Sequence, residues 1–513
     1  MNSWNEGYFT ESTYTYGYYN DISPTWQSFC VLANNFIPPP ILAEGGVHCE
    51  LGYGQGVSIN IHAAATDGKY FGTDFNPSHA ANANELLQAS GADAKFFDDS
   101  FEEFLNRDDL PQFDSISLHG IWSWISAENQ KHIVEFARKF LKSGGIFYNS
   151  YNCYPGWSPA APMRELFVLY DNYANKSGKT FNRVEGALKF VENLFSKNPA
   201  YFGRVPDVAK IFESTKKKDH DYLAHEYFNK DWICMYFSEV AEIFQSAKLD
   251  FVCTSEVLEA VPQFNFPANV LEFLDEIESP IMREQVKDYF LSRQFRKDIY
   301  VKGSRRMSQF EVIKRLLETN YISLTTKELP RTINLPIGAL TFPADVVERI
   351  QEYLAGENFK PKNFIEFVKK FPQVAPIDFV RTLLLLVQTK SIFPCQDESI
   401  AEKVKGKCVA LNKYICNRAK ISDEIMFLAS PVLGGAYSLN RFDRIFLAAL
   451  YEGKNTLNEM AQYLQQTLQE QGLQLRRADG NFVPNEESIS EFEKMAKDFS
   501  DNRLPTVKAL QII

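Results

Sequence analysis

The stretch "VHCELGYGQGVSINIHAAA" (residues 47–65) limits what this chain can fold into more than any other. Val47–Leu51 has the length and apolar content of a short strand, and Val57–Ala65 reads as a helix rich in Ala and Ile. Between them lies the turn Glu50-Leu51-Gly52-Tyr53-Gly54-Gln55-Gly56. Strand, glycine turn and helix in that order open an α/β unit built on a parallel sheet, and glycines let the backbone pass close to a ligand where a Cβ would collide.

The glycine spacing selects between two ligand chemistries. A dinucleotide site asks for G-x-G-x-x-G, with a helix N-terminus facing a pyrophosphate. Here the third glycine comes one residue early, and an acid, Glu50, closes the strand. A carboxylate at that place repels a pyrophosphate but accepts hydrogen bonds from the ammonium of a methionine moiety. The next strand, "KYFGTDF", delivers Asp74 at its end, where a carboxylate takes both hydroxyls of a ribose. A third strand, "AKFFDD", supplies Asp98 or Asp99 for an adenine amino group. Acids ending three successive strands favour S-adenosylmethionine.

These residues resemble the class I S-adenosylmethionine-dependent methyltransferases. "FDSISLHGIWSW" (Phe113–Trp124) looks like the family's fourth strand, the helix Glu128–Lys142 follows with "SGG" as its stop, and "IFYNSYNCYPGW" looks like the fifth strand and its loop. More narrowly, "WNEGYFTESTYTYGYYNDISP", "DFNPSH", "LHGIWSW" and "SYNCYPGW" resemble bacterial methyltransferases that carry a methyltransferase regulatory domain, which falls here around "YLAHEYFNKDWICMYFSEV". That subgroup includes rickettsial protein-lysine methyltransferases acting on outer-membrane proteins. The likeness spans most of the chain and is sharpest up to Trp157 and over Tyr222–Gly303. Tyr53 departs from the small residue or Cys usual there, and its side chain is expected to point away from the ligand.

The resemblance implies a Rossmann-like α/β core: doubly wound, mostly parallel, with an antiparallel last strand. The late elements it needs are at hand. Tyr236–Leu249 is amphipathic, "DFVCTSEV" alternates as a strand, and "QFRKDIYVKG" returns beside it. Helical insertions then interrupt the core at Tyr151–His220 and Leu271–Arg293. The organisation read from this is an N-terminal aromatic lid (1–41) and a core over 42–150 and 223–303, with regulatory-domain resemblance near 215–303. A helical insertion (151–222) suits a homodimer or substrate contact. A middle winged-helix-like domain (304–400) has three helices and a strand-like tail, and a helical C-terminal domain (401–513) carries helices at Arg441–Tyr451 and Thr456–Gly472. A fragment ending at Gly303 is expected to fold on its own and keep the cofactor.

Composition narrows the partners. A net charge of −11 disfavours nucleic acid. The eight cysteines form no CxxC pair, which points to reduced thiols in a cytoplasmic protein and no metal site. "MNSWNEGYF" has no basic start or apolar core of a leader, and the apolar burst Thr382–Val387 is too short for membrane insertion.

Methyl transfer from a sulfonium is an in-line displacement, so the protein's task is alignment and exclusion of water. The groups for it belong after strands four and five. Tyr151 and Asn152 are the catalytic pair expected to orient a substrate amine, with Trp122, Trp124 and Trp157 as pocket walls. Tyr14 and Tyr18, four apart and on one face if helical, join Tyr8 and Tyr19 in the lid and complete the pocket. Glu50, Gly52, Gly54, Gly56, Asp74, Phe75, Asn76, Asp98, Asp99 and His119 form the cofactor set. The resemblance implies a bacterial outer-membrane or surface protein, modified on lysine, as the substrate. A small molecule or another protein side chain is the alternative substrate, and a non-catalytic cofactor-binding scaffold the alternative class.

Overall fold

The computed structural model describes residues 14–40, 45–174, 180–324, 328–341, 344–474, 482 and 485–513. Tyr8 lies outside them. Seven strands form one sheet: β1 (Val47–Leu51), β2 (Lys69–Thr73), β3 (Ala94–Phe97), β4 (Phe113–Leu118), β5 (Leu141–Asn152), β6 (Leu249–Thr254) and β7 (Phe295–Lys302). Their order is β3-β2-β1-β4-β5-β7-β6. The β1–β5 pairings are parallel, and β7 runs antiparallel to both β5 and β6. This is the doubly wound, mostly parallel core expected, with its last two strands arriving late.

The order reverses at β1, so the crevice beyond the carboxyl ends of β1 and β4 is where such a sheet holds a ligand. Helices α1 (Pro24–Ala33), α2 (Val57–Ala65), α3 (Pro77–Ser90), α4 (Phe101–Leu105) and α5 (Ala127–Phe140) flank the sheet. Helix α5 stops at Phe140 and β5 starts at once, so "SGG" lies inside the strand instead of ending the helix. Leu141 is fully buried and extended, and tertiary burial outweighs the helix propensity of "FLK".

The segment after β5 folds into helices Ala161–Tyr173, Thr180–Ser196, Ala200–Arg204, Asp207–Thr215 and His220–Tyr227. They close around a cluster of their own, with Met163, Phe167, Val184, Val208 and Phe212 inside. Helices Ala268–Asp275 and Pro280–Leu291 fill the gap between β6 and β7. The C-terminal region is mainly helical. Its strand-like tail Ile392–Pro394 pairs antiparallel with Tyr321–Ser323, a strand the sequence reading missed, as it missed the long helix Glu398–Arg418. Among the described residues no helix is long and apolar enough to cross a membrane, and no cluster of His, Cys, Asp or Glu could hold a metal ion.

The packing of α2 argues against an independent fragment ending at Gly303. Every residue of α2 is buried, because Glu398–Arg418 and the hairpin Phe427–Ser430/Gly435–Ser438 cover the face turned away from the sheet. Val57, Ile61, Ala64 and Leu86 share a hydrophobic cluster with Val404, Leu411, Leu428 and Leu447. The C-terminal carbonyls of α2 find donors there too. Lys407 Nζ donates to the Ala63 and Thr66 carbonyls (3.1 and 2.9 Å), and Gln396 Nε2 to that of Ala65 (2.7 Å). The core is therefore incomplete at Gly303. The sequence carries the reason: "VSINIHAAA" has no Asp, Glu, Lys or Arg, and its Val, Ile and Ala positions are spread around the helix, as suits a helix buried all round.

Candidate active site

A cleft opens at the carboxyl ends of β1–β4. Its floor is the glycine turn. Gly52 adopts φ +73°, its N–H donates to the Thr73 carbonyl (2.8 Å), and a Cβ there would run into Ile121. Gly54 N–H donates to Asp74 Oδ2 (2.8 Å). Gly56 does not line the cleft: it caps α2 at φ +72°, and a Cβ would lie 2.4 Å from that of Ala83 in α3. It lets α2 and α3 pack closely, and lies behind the cleft lining where a ligand contact was expected.

Glu50, Asp74 and Asp99 line the cleft, whereas Asp98 is exposed outside it. Asp74 is held on both oxygens, by Gly54 N–H on one and by Asn76 N–H (3.1 Å) and His79 Nδ1 (3.0 Å) on the other. Asp99 pairs with Arg107 (2.9 Å). Glu50 has no hydrogen bond or ion pair to any described residue, and burial followed by repulsion from Asp74 pushes its carboxyl well above the usual carboxylate range. A buried carboxylate in this state calls for a cationic partner.

Phe75, Ser100, Phe101, Ile121, Trp124 and Ile125 form much of the remaining wall. Asn76 stays outside it and caps α3, accepting from Ser78 N–H. Tyr53 does not turn fully away: it is part of the wall, with its hydroxyl donating to the Phe97 carbonyl (2.7 Å).

The N-terminal segment roofs the cleft with Tyr14, Thr15, Gly17 and Tyr19. Tyr19 N–H donates to Ser58 Oγ (2.9 Å), and its ring stacks on His119 (4.1 Å). His119 pairs through Nδ1 with the Tyr148 hydroxyl (2.9 Å), and burial pushes its pKa down to about 4, so it is neutral near pH 7. It therefore adds no positive charge where a cationic ligand would sit.

Several expected site residues lie elsewhere. Residues 14–19 are irregular, not helical, so Tyr14 and Tyr18 part company. Tyr18 turns to the C-terminal hairpin, its hydroxyl accepting from Ala436 N–H (3.0 Å) and pairing with His62 Nε2 (3.2 Å). Trp122 is fully buried against Phe244 on the far face of the sheet. Trp157 packs on Trp232 against the helical insertion. Tyr151 is fully buried, and its hydroxyl donates to Asp298 (2.7 Å) inside an ionic network with Arg296, Asp288 and Glu284. Strand alternation explains it: Phe147, Tyr151 and Cys153 share the face opposite the cleft. Asn152 is buried outside the cleft lining, its backbone N–H bonded to Ser123 Oγ (2.8 Å). Neither member of the expected catalytic pair reaches the cleft. His79 and Asp231 do, and were missed. His79 stands in the "DFNPSH" already singled out, five residues after Asp74 on the first turn of α3; Asp231 stands in "YLAHEYFNKDWICMYFSEV", also singled out, but no spacing there marks it as a site residue.

Comparison with known proteins adds the lineage. Residues 49–147 match the model of a methyltransferase domain, and residues 219–302 that of a predicted methyltransferase regulatory domain. An uncharacterised Synechocystis protein is 34% identical over 517 residues, covering 99% of this chain and all of its own length. The chain belongs to this methyltransferase family. An uncharacterised protein of Rickettsia prowazekii is 24% identical over 48% of this methyltransferase and 44% of its own length. Among solved structures, PKMT2 from Rickettsia typhi in complex with AdoHcy superposes with a TM-score of 0.71 at 18% identity, covering 97% of this chain and 99% of that one. The fold is thus shared end to end, C-terminal domains included.

Proposed function

We propose that this methyltransferase transfers methyl groups from S-adenosylmethionine to lysine side chains of a protein. The observation that carries the cofactor is the trio Glu50, Asp74 and Asp99 in one cleft, with Glu50 left without a cation. Bound there, the cofactor supplies an electrophilic methyl group on a sulfonium. Glu50 would hold its ammonium, Asp74 its ribose hydroxyls and Asp99 its adenine end, while Phe75, Phe101 and Tyr19 exclude water. The lysine substrate is supported by the likeness to rickettsial protein-lysine methyltransferases. The eight free thiols suit a reducing, cytoplasmic setting.

Glu50 gives the cofactor reading a pH signature. In the free protein its carboxyl holds a proton to higher pH than usual. An ammonium beside it lowers that pKa, so binding releases a proton and low pH opposes binding. Affinity for S-adenosylmethionine should therefore rise as pH rises from the ordinary carboxylate range towards the raised value, by up to about tenfold per pH unit for one proton. Calorimetry in two buffers of different ionisation enthalpy reads the released proton directly. Affinity independent of pH, with no proton released, refutes the pairing.

Lysine chemistry has its own signature. With a pKa near 10.4, the neutral amine costs about 4.6 kcal/mol at pH 7. Desolvation between aromatic walls and the like charge of the sulfonium both reduce that cost. Incubating the protein with labelled cofactor and fractionated bacterial lysate should place label on lysines, at a rate rising between about pH 7 and 9. Label on carboxylates or on a small metabolite selects the other substrate class. Cofactor binding without transfer to any fraction selects the scaffold.

A further inference from the structure

We infer that Asp231 is the residue that captures the substrate's cationic amine; this rests on the methyltransferase reading above. Among the described residues, four carboxylates line the cleft. Glu50, Asp74 and Asp99 come from the ends of the first three strands and belong to the cofactor half. Asp231 comes from the segment where the chain returns from the helical insertion. Ile233 N–H donates to the Ser123 carbonyl (2.7 Å) and Met235 N–H to that of Asn152 (3.2 Å), which lays this segment along the turn after β4 and the end of β5. Trp124 and Asp231 both line the cleft, and the Ile233–Ser123 bond brings their two segments side by side. Tyr14 lines the cleft too, its ring edge-on to His225 (5.3 Å) in the helix that leads into the Asp231 segment.

The Asp231 carboxylate, half-buried, has no hydrogen bond or ion pair to any described residue. The segment is held without it, by the backbone bonds of Ile233 and Met235 after it and by Arg164 donating to the Asn229 carbonyl (3.3 Å) before it. An unpaired carboxylate in a cleft that also presents a tyrosine and a tryptophan is the chemistry that takes an alkylammonium, the charge meeting the acid and the methylene stem the aromatic faces. Because a nearby carboxylate favours the charged amine, Asp231 docks the substrate and leaves deprotonation to the more enclosed part of the cleft. Its position also fits a substrate reaching in from outside, since Asp231 belongs to the insertion's edge and not to the sheet.

The test uses butylammonium as probe of the lysine side chain and 1-butanol as its neutral counterpart, titrated into full-length protein saturated with S-adenosylhomocysteine at low ionic strength. Butylammonium should bind the wild type and lose about tenfold or more in affinity in Asp231→Asn, while Asp231→Glu retains most of it. 1-Butanol should bind both proteins equally, and S-adenosylhomocysteine should bind Asp231→Asn within twofold of wild type. Equal butylammonium affinity in wild type and Asp231→Asn overturns the assignment, as does absence of butylammonium binding to the wild type. A collapse of S-adenosylhomocysteine affinity in Asp231→Asn moves the residue to the cofactor half and also overturns it. Failure of S-adenosylhomocysteine to bind the wild type is a different result, and defeats the cofactor reading itself.

Discussion

Replacing Asp74 with Ala should weaken S-adenosylmethionine binding by at least about a hundredfold. Hydrogen bonds to a charged group are worth about 1.5–3 kcal/mol each. Two of them to ribose hydroxyls amount to roughly 3–6 kcal/mol, or about two to four orders of magnitude in affinity. The same carboxylate also accepts from Gly54 N–H, Asn76 N–H and His79, so its removal loosens the glycine turn that forms the cleft floor. Asp74→Asn keeps one acceptor oxygen and should lose less, which separates charge from the order of the loop. Calorimetry on both variants measures the difference. An Asp74→Ala protein that binds within threefold of wild type removes the acid from the cofactor site.

A fragment ending at Gly303 should fail to fold, against the expectation drawn from sequence. Cutting there exposes Val57, Ile61, Ala64 and Leu86, which pack against the C-terminal region. Full exposure of one Val, Leu or Ile side chain costs about 1.5–3 kcal/mol. The lost donors of Lys407 and Gln396 leave carbonyls at the end of α2 without partners. A second apolar surface opens where Phe29, Val31, Ile146 and Ile299 join the cluster of Leu316, Leu383 and Leu386. Together these exceed the 5–15 kcal/mol by which a typical fold is stable. Expressed alone, residues 1–303 should be insoluble or lack a cooperative urea transition, and co-expression with residues 304–513 should restore solubility. A soluble fragment with a sharp transition and normal cofactor affinity would show that the C-terminal region is dispensable.

The seven strands of the core were legible because each carries a local pattern: a short apolar run, a turn before it, and an acid at the end of the first three. The late pair β6 and β7 could be found because the fold left two vacancies that only "DFVCTSEV" and "QFRKDIYVKG" fit. The helix Glu398–Arg418 escaped notice. Its charged residues are spread along it, and its buried side faces a helix more than three hundred residues earlier in the chain. The cofactor half of the site was legible for the same reason as the strands, since its acids sit at fixed places on regular elements. The substrate half was not. Tyr151 looked catalytic from its loop neighbours, but pleating sends it to the opposite face and to Asp298. Trp122 and Trp124 are two residues apart in a short 3-10 turn, where that spacing separates them into core and cleft. Asp231 arrives through a backbone path that no periodicity encodes.

The short coil over the cleft joins parts of the molecule that are far apart in sequence. Tyr19 rests on His119, while Tyr18 beside it is bonded to His62 and to the Ala436 amide in the C-terminal hairpin. Neighbouring residues of one strap are thus committed to two bodies, so whatever steadies one steadies the other. By reciprocity of linked equilibria, a cofactor that tightens the strap must also tighten the hairpin's hold on it by the same free energy. The C-terminal region then acts as a distant adjuster of affinity, and wear at Gly435 or Ala436 would be felt in the cleft without any atom of the cleft being changed.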